Sequence, residues 1–582
     1  MSKAAAETDA VIIGLGAAGA IAAMVLTNAG LEVTGIEAGP FHADTAFMPD
    51  ELGAAENRNL LGPKFNGERP VWREGPGLPS QAPLAAIGQM MNGVGGSTVH
   101  YGGWARRFFP GDFIARTRTI ERYGRSAIPT GSTLADWPIS YDDLETYYTR
   151  VERLLGVAGI AANVRNQPHG NTGNPFEGWR SEPYPLPPLR SFPLGERFER
   201  AARDLGWHPY PVPAAILSRE YGGRPACTYC GWCSGYGCRI GAKSSTLVTA
   251  VPRALATGRL TIQTNTRATQ VITKGGRAVG VRYVKPGHGE EEIRARAVIL
   301  AAYTYENVRL LLLSRTSLFP DGLGNNRGQV GKHFMSRGFL GACGVIAGEQ
   351  LNRFAGPVGQ AMCVDDLNGD HFSHEGMDFI RGGTISVENQ LQPLAAANTV
   401  PPWVPAWGRP YKEFLVRNWN SVAVLRAQPE PLPWQGNELD LDPSFVEEGP
   451  VSLPRVRITY RQRDNDEGLA AFLFERMEEC LTRMGAGRTW RLPHDRRRVL
   501  SGHDVGGTRM GDDPRSSVVD ADGRVHELEN LHVLGGSTFP TSSGCNPTLT
   551  IQALAWRSCE RLAGELGGPG TATNSAESSQ AQ

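Results

Sequence analysis

Along the first 37 residues the pattern of apolar and polar positions changes period twice. An unbroken apolar run, Ala10–Ile13, has the length of a strand buried on both faces. It breaks at Gly14-Leu15-Gly16-Ala17-Ala18-Gly19, and an alanine-rich stretch then continues to Asn28 with Gly30 behind it, which predicts a helix and its stop. Leu31–Ile36 predicts a second strand that ends on Glu37. Further on, Ser140 stands before Asp142, Asp143 and Glu145 as an N-cap before acidic positions, so a helix is expected from there through Tyr147, Val151 and Leu154 to about Gly156. Leu260–Thr264, Ala268–Lys274, Ala278–Val284 and Glu291–Arg296 read as short antiparallel strands. Ala297–Ala301 reads as another buried strand, followed by a helix through Leu310–Leu313. An amphipathic helix is expected near Leu469–Met484, a strand at Leu531–Leu534, and a terminal helix after Pro547 to about Leu566. Residues 160–225 are rich in Pro, Gly and aromatics and read as long surface excursions; residues 330–500 read as short strands and loops.

Strand, glycine turn, helix, second strand and acidic end follow one another in the order of a dinucleotide-binding unit, which sets the fold class as α/β. Each glycine has a physical task. Gly14 permits the tight turn, Gly16 lets the backbone approach a pyrophosphate, and Gly19 lets helix and strand pack closely. The helix N-terminus supplies free N–H groups and partial positive charge for the phosphates. Glu37, about 20 residues beyond the glycines, is placed to accept hydrogen bonds from a ribose. The same stretch could be taken for a membrane segment, since Ala10–Gly30 is 21 residues without a charge. Six of those 21 are Gly, Thr or Asn, and Glu7 and Asp9 precede them against a single Lys3, so a span or signal peptide is not expected.

Composition narrows the function further. With 582 residues the chain can hold two or more domains. Lys+Arg and Asp+Glu number 59 each, a balance that argues against nucleic acid or an anionic membrane surface as partner. Six glycines fall between Gly88 and Gly103, including Gly95 and Gly96, and Gly535-Gly536 follows the last strand. Three separate glycine-rich segments suit a cofactor wrapped in backbone. Four of the nine cysteines, Cys227, Cys230, Cys233 and Cys238, lie within twelve residues. Their spacing is dense enough for an iron–sulfur cluster, while a structural zinc, disulfides and plain thiols are the other readings. After Gly567 the chain reads as a polar, disordered tail, 568–582.

With GLGAAG and Glu37, NGVGGSTVHYGG, DWPISYDDLETYY, VILAA, GHDVGGTRMG and SGCNPTLTIQAL on the page, the chain resembles the glucose–methanol–choline (GMC) oxidoreductases over essentially its whole length. Gly173–Gly178 and the cysteine segment are similar to the gluconate 2-dehydrogenase branch, and the His503/Asn546 ending to pyranose oxidase. The resemblance implies a Rossmann-like FAD-binding domain from 1–40, 86–125, 239–325 and 500–567. A substrate domain on an antiparallel sheet, with excursions, would take 41–85, 126–238 and 326–499. It also implies FAD, with Gly14, Gly16, Gly19, Glu37, Gly95, Gly96, His100, Gly535, Gly536 and Asn546 around it. His100 stands where some relatives bind flavin covalently. His503 stands where the family's catalytic histidine stands and is expected to be the base, with Asn546 holding the substrate oxygen. The implied reaction is oxidation of a CH–OH group of a sugar, sugar acid or polyol with electrons passed to an acceptor other than oxygen; the alternative is an oxygen-using oxidase of a glycoside or natural-product alcohol. Implied partners are the small-molecule substrate and a small subunit or cytochrome acceptor. The implied location is cytoplasmic for the chain alone, or periplasmic if it is exported with a signal-bearing partner.

Overall fold

The computed structural model describes residues 6–53, 70–81, 90–167, 173–389, 392–446, 451–494 and 502–567. The expected tail at 568–582 and the start of the second glycine segment at Gly88 lie outside the described residues.

The opening unit folds as its pattern requires. Strand β1 (Ala6–Ile13) is flanked on both edges by parallel strands, so Ala10–Ile13 are buried on both faces. Helix α1 (Ala17–Asn28) follows, and the chain turns back at Gly30, whose φ of 85° is open to glycine. Strand β2 (Val33–Ile36) then pairs with β1 in the register Val11–Thr34.

The sheet built on this unit has seven strands in the order Leu260–Gln263, β2, β1, Glu290–Leu300, Arg277–Val284 and Arg267–Lys274, with Leu531–Val533 set beside Glu290–Leu300. Two sequence expectations change here. Leu260–Gln263 runs parallel to β2, because the chain reaches it through the helix Ala250–Ala256 and not through a hairpin. Glu291–Arg296 and Ala297–Ala301 are one strand, Glu290–Leu300. Its first half pairs antiparallel with Arg277–Val284 and its second half pairs parallel with Leu531–Val533. The first half has a mixed surface and the second is wholly buried, and that change of pattern mimics a boundary.

Residues 330–500 are more ordered than expected. They supply most of a six-stranded antiparallel sheet, in the order Thr489–Arg491, Leu340–Val345, Val422–Pro429, Gly383–Glu388, Ala361–Val364 and Tyr210–Pro211. Helix Asp464–Arg483 covers it with Leu469, Leu473, Met477 and Leu481. Helix Pro193–Asp204 shares the same core through Leu194, Phe198, Ala201 and Ala202, so the supposed surface excursion at 160–225 contains a packed element. A third sheet joins Glu438–Val446 to Pro454–Thr459, with Val71–Arg73 parallel on its edge. The last helix, Thr548–Glu565, returns to pack against α1.

Candidate active site

A cavity of about 550 Å³ runs between the seven-stranded sheet and the loops that return from the six-stranded one. At one end it is lined by Gly14, Gly16, Glu37 and Ala38, at the other by Phe339, His503 and Asn546. Between them stand Gly96 and His100–Trp104.

The glycine turn is built as a cradle. Gly14 has φ +88°, and a Cβ there would stand 2.7 Å from the carbonyl oxygen of Ala301. A Cβ on Gly19 would stand 1.9 Å from the carbonyl oxygen of Gly14, so the helix start can sit on the turn only without one. Gly16 differs: among the described residues a Cβ there meets nothing closer than Gly96 Cα at 3.7 Å. The space before it is open, bounded by the second glycine segment, in which Gly95 and Gly96 have φ +95° and +52°. Among the described residues no side chain caps the N-terminus of α1, whose residues Gly16, Ala17 and Ala18 line the cavity. Open amides, a dipole end and a clear space form the anion-binding arrangement a pyrophosphate needs.

Glu37 is buried and accepts from three backbone amides: Leu15 N (3.0 Å) on one oxygen, Gly39 N (3.0 Å) and Gly93 N (3.1 Å) on the other. It thereby ties the end of β2 to the glycine turn and to the second glycine segment, while lining the cavity. Burial pushes its carboxyl above the usual range. Gly535 has φ +113°, and a Cβ on Gly536 would press on Val505 Cγ1 at 3.1 Å. His100 is buried in the cavity wall, and its carbonyl accepts from Gly235 N at 2.7 Å. The cradle fits FAD on these grounds.

His503 and Asn546 come together at the far end, with His503 Nε2 3.3 Å from Asn546 Nδ2. The ring of Phe339 meets the imidazole edge to face at 5.1 Å. Burial, and the guanidinium of Arg337 behind it, hold the imidazole well below the usual histidine range, so the ring is neutral. Arg337 Nη1 donates to His503 Nδ1 (3.2 Å) and to Gln428 Oε1 (2.8 Å). Its Nη2 reaches the carbonyls of Ser543 and Cys545 (3.2 Å to the latter), in the loop that carries Asn546.

Sequence reasoning passed over Arg337, and also Asp504, whose Oδ2 accepts from the hydroxyls of Tyr303 (3.0 Å) and Tyr305. Tyr303 has φ +77°, an unusual conformation for a bulky residue, and lines the cavity. Asp365 was equally unmarked. It accepts from Arg106 (2.6 Å), Thr384 (2.6 Å), Asn368 (2.5 Å), Asn174 (2.8 Å) and Tyr210, and so anchors the floor beneath Gly544.

Cys227, Cys230, Cys233 and Cys238 are free thiols in this structure. Among the described residues no three His, Cys, Asp or Glu side chains stand where one ion could join them. Cys233 is buried and Cys230 exposed, and burial pushes the Cys227 and Cys233 thiols up to about 11 and 12. The segment is held by the buried ammonium of Lys243, which donates to the carbonyls of Tyr101 (2.9 Å), Cys233 (2.6 Å) and Tyr236 (2.7 Å). Ser234 and Gly235 bring it to the cavity wall beside His100.

Comparison with known proteins agrees with this geometry. GMC oxidoreductase family models match residues 188–337 and 438–555. The chain is 30% identical to the gluconate 2-dehydrogenase flavoprotein of Pantoea cypripedii, covering 96% of this chain and 93% of that one. It is also 30% identical to the 2-methyl-1,2-propanediol dehydrogenase of Mycolicibacterium austroafricanum, over 96% and 95%. A crystal structure of pyridoxine 4-oxidase from Mesorbium loti has the same fold, with TM-score 0.58 at 17% identity over 95% of this chain and 99% of that one. Among the described residues no helix is long and apolar enough to cross a membrane. Glycine cradle, imidazole–amide pair and full-length similarity together place the chain in the GMC oxidoreductase family, FAD-binding enzymes that oxidise CH–OH groups.

Proposed function

We propose that the chain oxidises a CH–OH group of a sugar, sugar acid or polyol and passes the electrons to an acceptor other than oxygen, such as a small subunit or cytochrome. The observation that carries this reading is the neutral His503 beside Asn546 in the cavity that also holds the glycine cradle. The flavin, when bound, supplies the hydride acceptor. The amide of Asn546 holds the substrate oxygen, and His503 takes the hydroxyl proton. Gly16, Gly96 and the N-terminus of α1 would hold the pyrophosphate, and Glu37 would take the ribose with the lone pairs its backbone contacts leave. Relatives named as dehydrogenases of a sugar acid and of a diol support the substrate class.

The test is anaerobic mixing of purified holoprotein with a panel of sugars, sugar acids and polyols, followed by turnover with an artificial acceptor and with oxygen. Bleaching of the flavin and turnover with the artificial acceptor are expected. Equal or faster turnover with oxygen would overturn the acceptor assignment in favour of an oxidase, and no bleaching by any alcohol would overturn the reaction. His100 is the proposed attachment point if the flavin is covalent: fluorescence would then stay with the acid-precipitated polypeptide and be released by His100→Ala. Flavin wholly in the wild-type supernatant would limit His100 to packing.

A further inference from the structure

Both ring nitrogens of His503 face a hydrogen-bond donor: Arg337 Nη1 at Nδ1 and Asn546 Nδ2 at Nε2. A neutral imidazole has one lone pair to offer, so it cannot accept from both. The choice between them is decided by what each neighbour can do. A guanidinium has no acceptor and stays charged, and a contact at Nδ1 exists only if Nδ1 is bare. An amide can present either end, and Asn546 Oδ1 has no hydrogen-bond partner among the described residues. With the ring proton on Nε2, Arg337 keeps its contact, and Asn546 turned through 180° gives Oδ1 the donor it lacks. The opposite tautomer would aim an N–H at a buried cation.

Arg337 is well placed to enforce that choice. It is fully buried and is held at Gln428 Oε1, at the Ser543 and Cys545 carbonyls and near Ser542 Oγ, so it cannot swing away as a unit. The acids nearby are engaged elsewhere. Glu430 pairs with Arg381 at 2.7 Å, and Asp504, next to His503 in sequence, turns Oδ2 to Tyr303 and Tyr305. Cys545 meets Arg337 through its carbonyl.

We propose that Arg337 is a positioning residue that sets the tautomer of His503, holding the resting ring with its proton on Nε2, so that the ring becomes a base towards substrate only after that proton has been exchanged to Nδ1 and Arg337 Nη1 has released its contact there. The exchange is neutral overall: cavity water takes the proton from Nε2 and returns one to Nδ1. Nη1 keeps Gln428 as a partner when it lets go, so the release costs one hydrogen bond and not the anchorage of the arginine. The proposal rests on the assignment of His503 to the substrate oxygen made above, but the tautomer readout of its test does not need turnover.

Holoprotein labelled with 15N-histidine is examined by NMR, with His503→Gln identifying the signals of this ring by their loss. In the wild type His503 should carry its proton on Nε2 with Nδ1 bare. In Arg337→Met the proton should move in whole or in part to Nδ1, and the acid limb of the flavin-reduction rate should rise by about one pH unit or more, since the cation that disfavours imidazolium is gone. Arg337→Lys keeps the charge and a single donor, and should restore the low acid limb. A wild-type ring protonated on Nδ1 would overturn the proposal without any variant. So would an Arg337→Met ring with unchanged tautomer, or a loss of rate with the wild-type pH profile, which would mark Arg337 as structural only. If the tautomer is as stated but no alcohol reduces the flavin, the functional assignment fails and the tautomer inference stands.

Discussion

Gly16 and Gly19 carry the same letter in the glycine turn but bear opposite loads. The space before Gly16 is open to 3.7 Å, whereas a side chain on Gly19 would stand 1.9 Å from a backbone oxygen. Gly16→Val should therefore give folded, colourless protein, and Gly19→Val should fail to fold; flavin absorbance with circular dichroism separates the two. Normal flavin content in Gly16→Val would refute the cradle. His503→Ala should keep its flavin and reduce it roughly 10²–10⁴-fold more slowly, the usual contribution of a positioned acid–base group. Asn546→Ala should lose less, because a hydrogen bond goes and the proton acceptor stays. The pH profile follows from sign. The His503 pKa is lowered by burial and by Arg337, so the ring stays neutral at the pH where an ordinary imidazole, about 6.5, takes up its proton, and wild-type reduction should show no histidine limb there. A half-maximal rate near pH 6.5 that disappears in His503→Gln would contradict it. At this scale the sequence was readable wherever a residue acts through local backbone, as the glycines and Glu37 do. Arg337 was not readable, since its partners lie 91 to 208 positions away and no local pattern marks them.

Among the elements, the loop Ser543–Asn546 bears most directly on activity, and it rests on the Asp365 network. A Cβ on Gly544 would stand 1.8 Å from Asn368 Oδ1, so Gly544→Ala should displace Asn546, lowering turnover while leaving flavin bound. Unchanged kcat in that variant would mean the loop tolerates the shift. Strand and helix boundaries were legible in proportion to how local their causes are. Ser140 accepts from Asp143 N and Asp143 returns to Ser140 N, and Gly156 closes the helix at φ 67°, as the capping pattern leads one to expect. The direction of Leu260–Gln263 was not legible, because alternation marks a strand without naming its partner. Helix Pro193–Asp204 did carry a signal, Pro193 at its first position and apolar residues at 194, 198, 201 and 202, but it is embedded among prolines that read as loop.

Over the whole molecule the site is a seam between the sheets: Arg337, Asp365 and Thr384 come from the six-stranded side, while the glycine turn and the helix behind Asn546 belong with the seven-stranded side. A ligand lying along such a seam stabilises the folded state by mass action, about 2.7 kcal/mol at a hundredfold excess over Kd. Apoprotein should accordingly melt at a lower temperature than holoprotein, and added FAD should restore the difference. Equal melting temperatures would argue that flavin does not bind the folded chain. The pairing of β1 with Glu290–Leu300, and of that strand with Leu531–Val533, has a further consequence in time. The neighbouring strand of the cradle is synthesised nearly 300 residues after it, and the imidazole–amide pair only at 503 and 546. Such long-range pairing is slow and leaves edges unpaired meanwhile. During synthesis β1 and β2 must wait for their sheet neighbours, and the full set of groups around the flavin is assembled only once the chain has been made as far as Asn546.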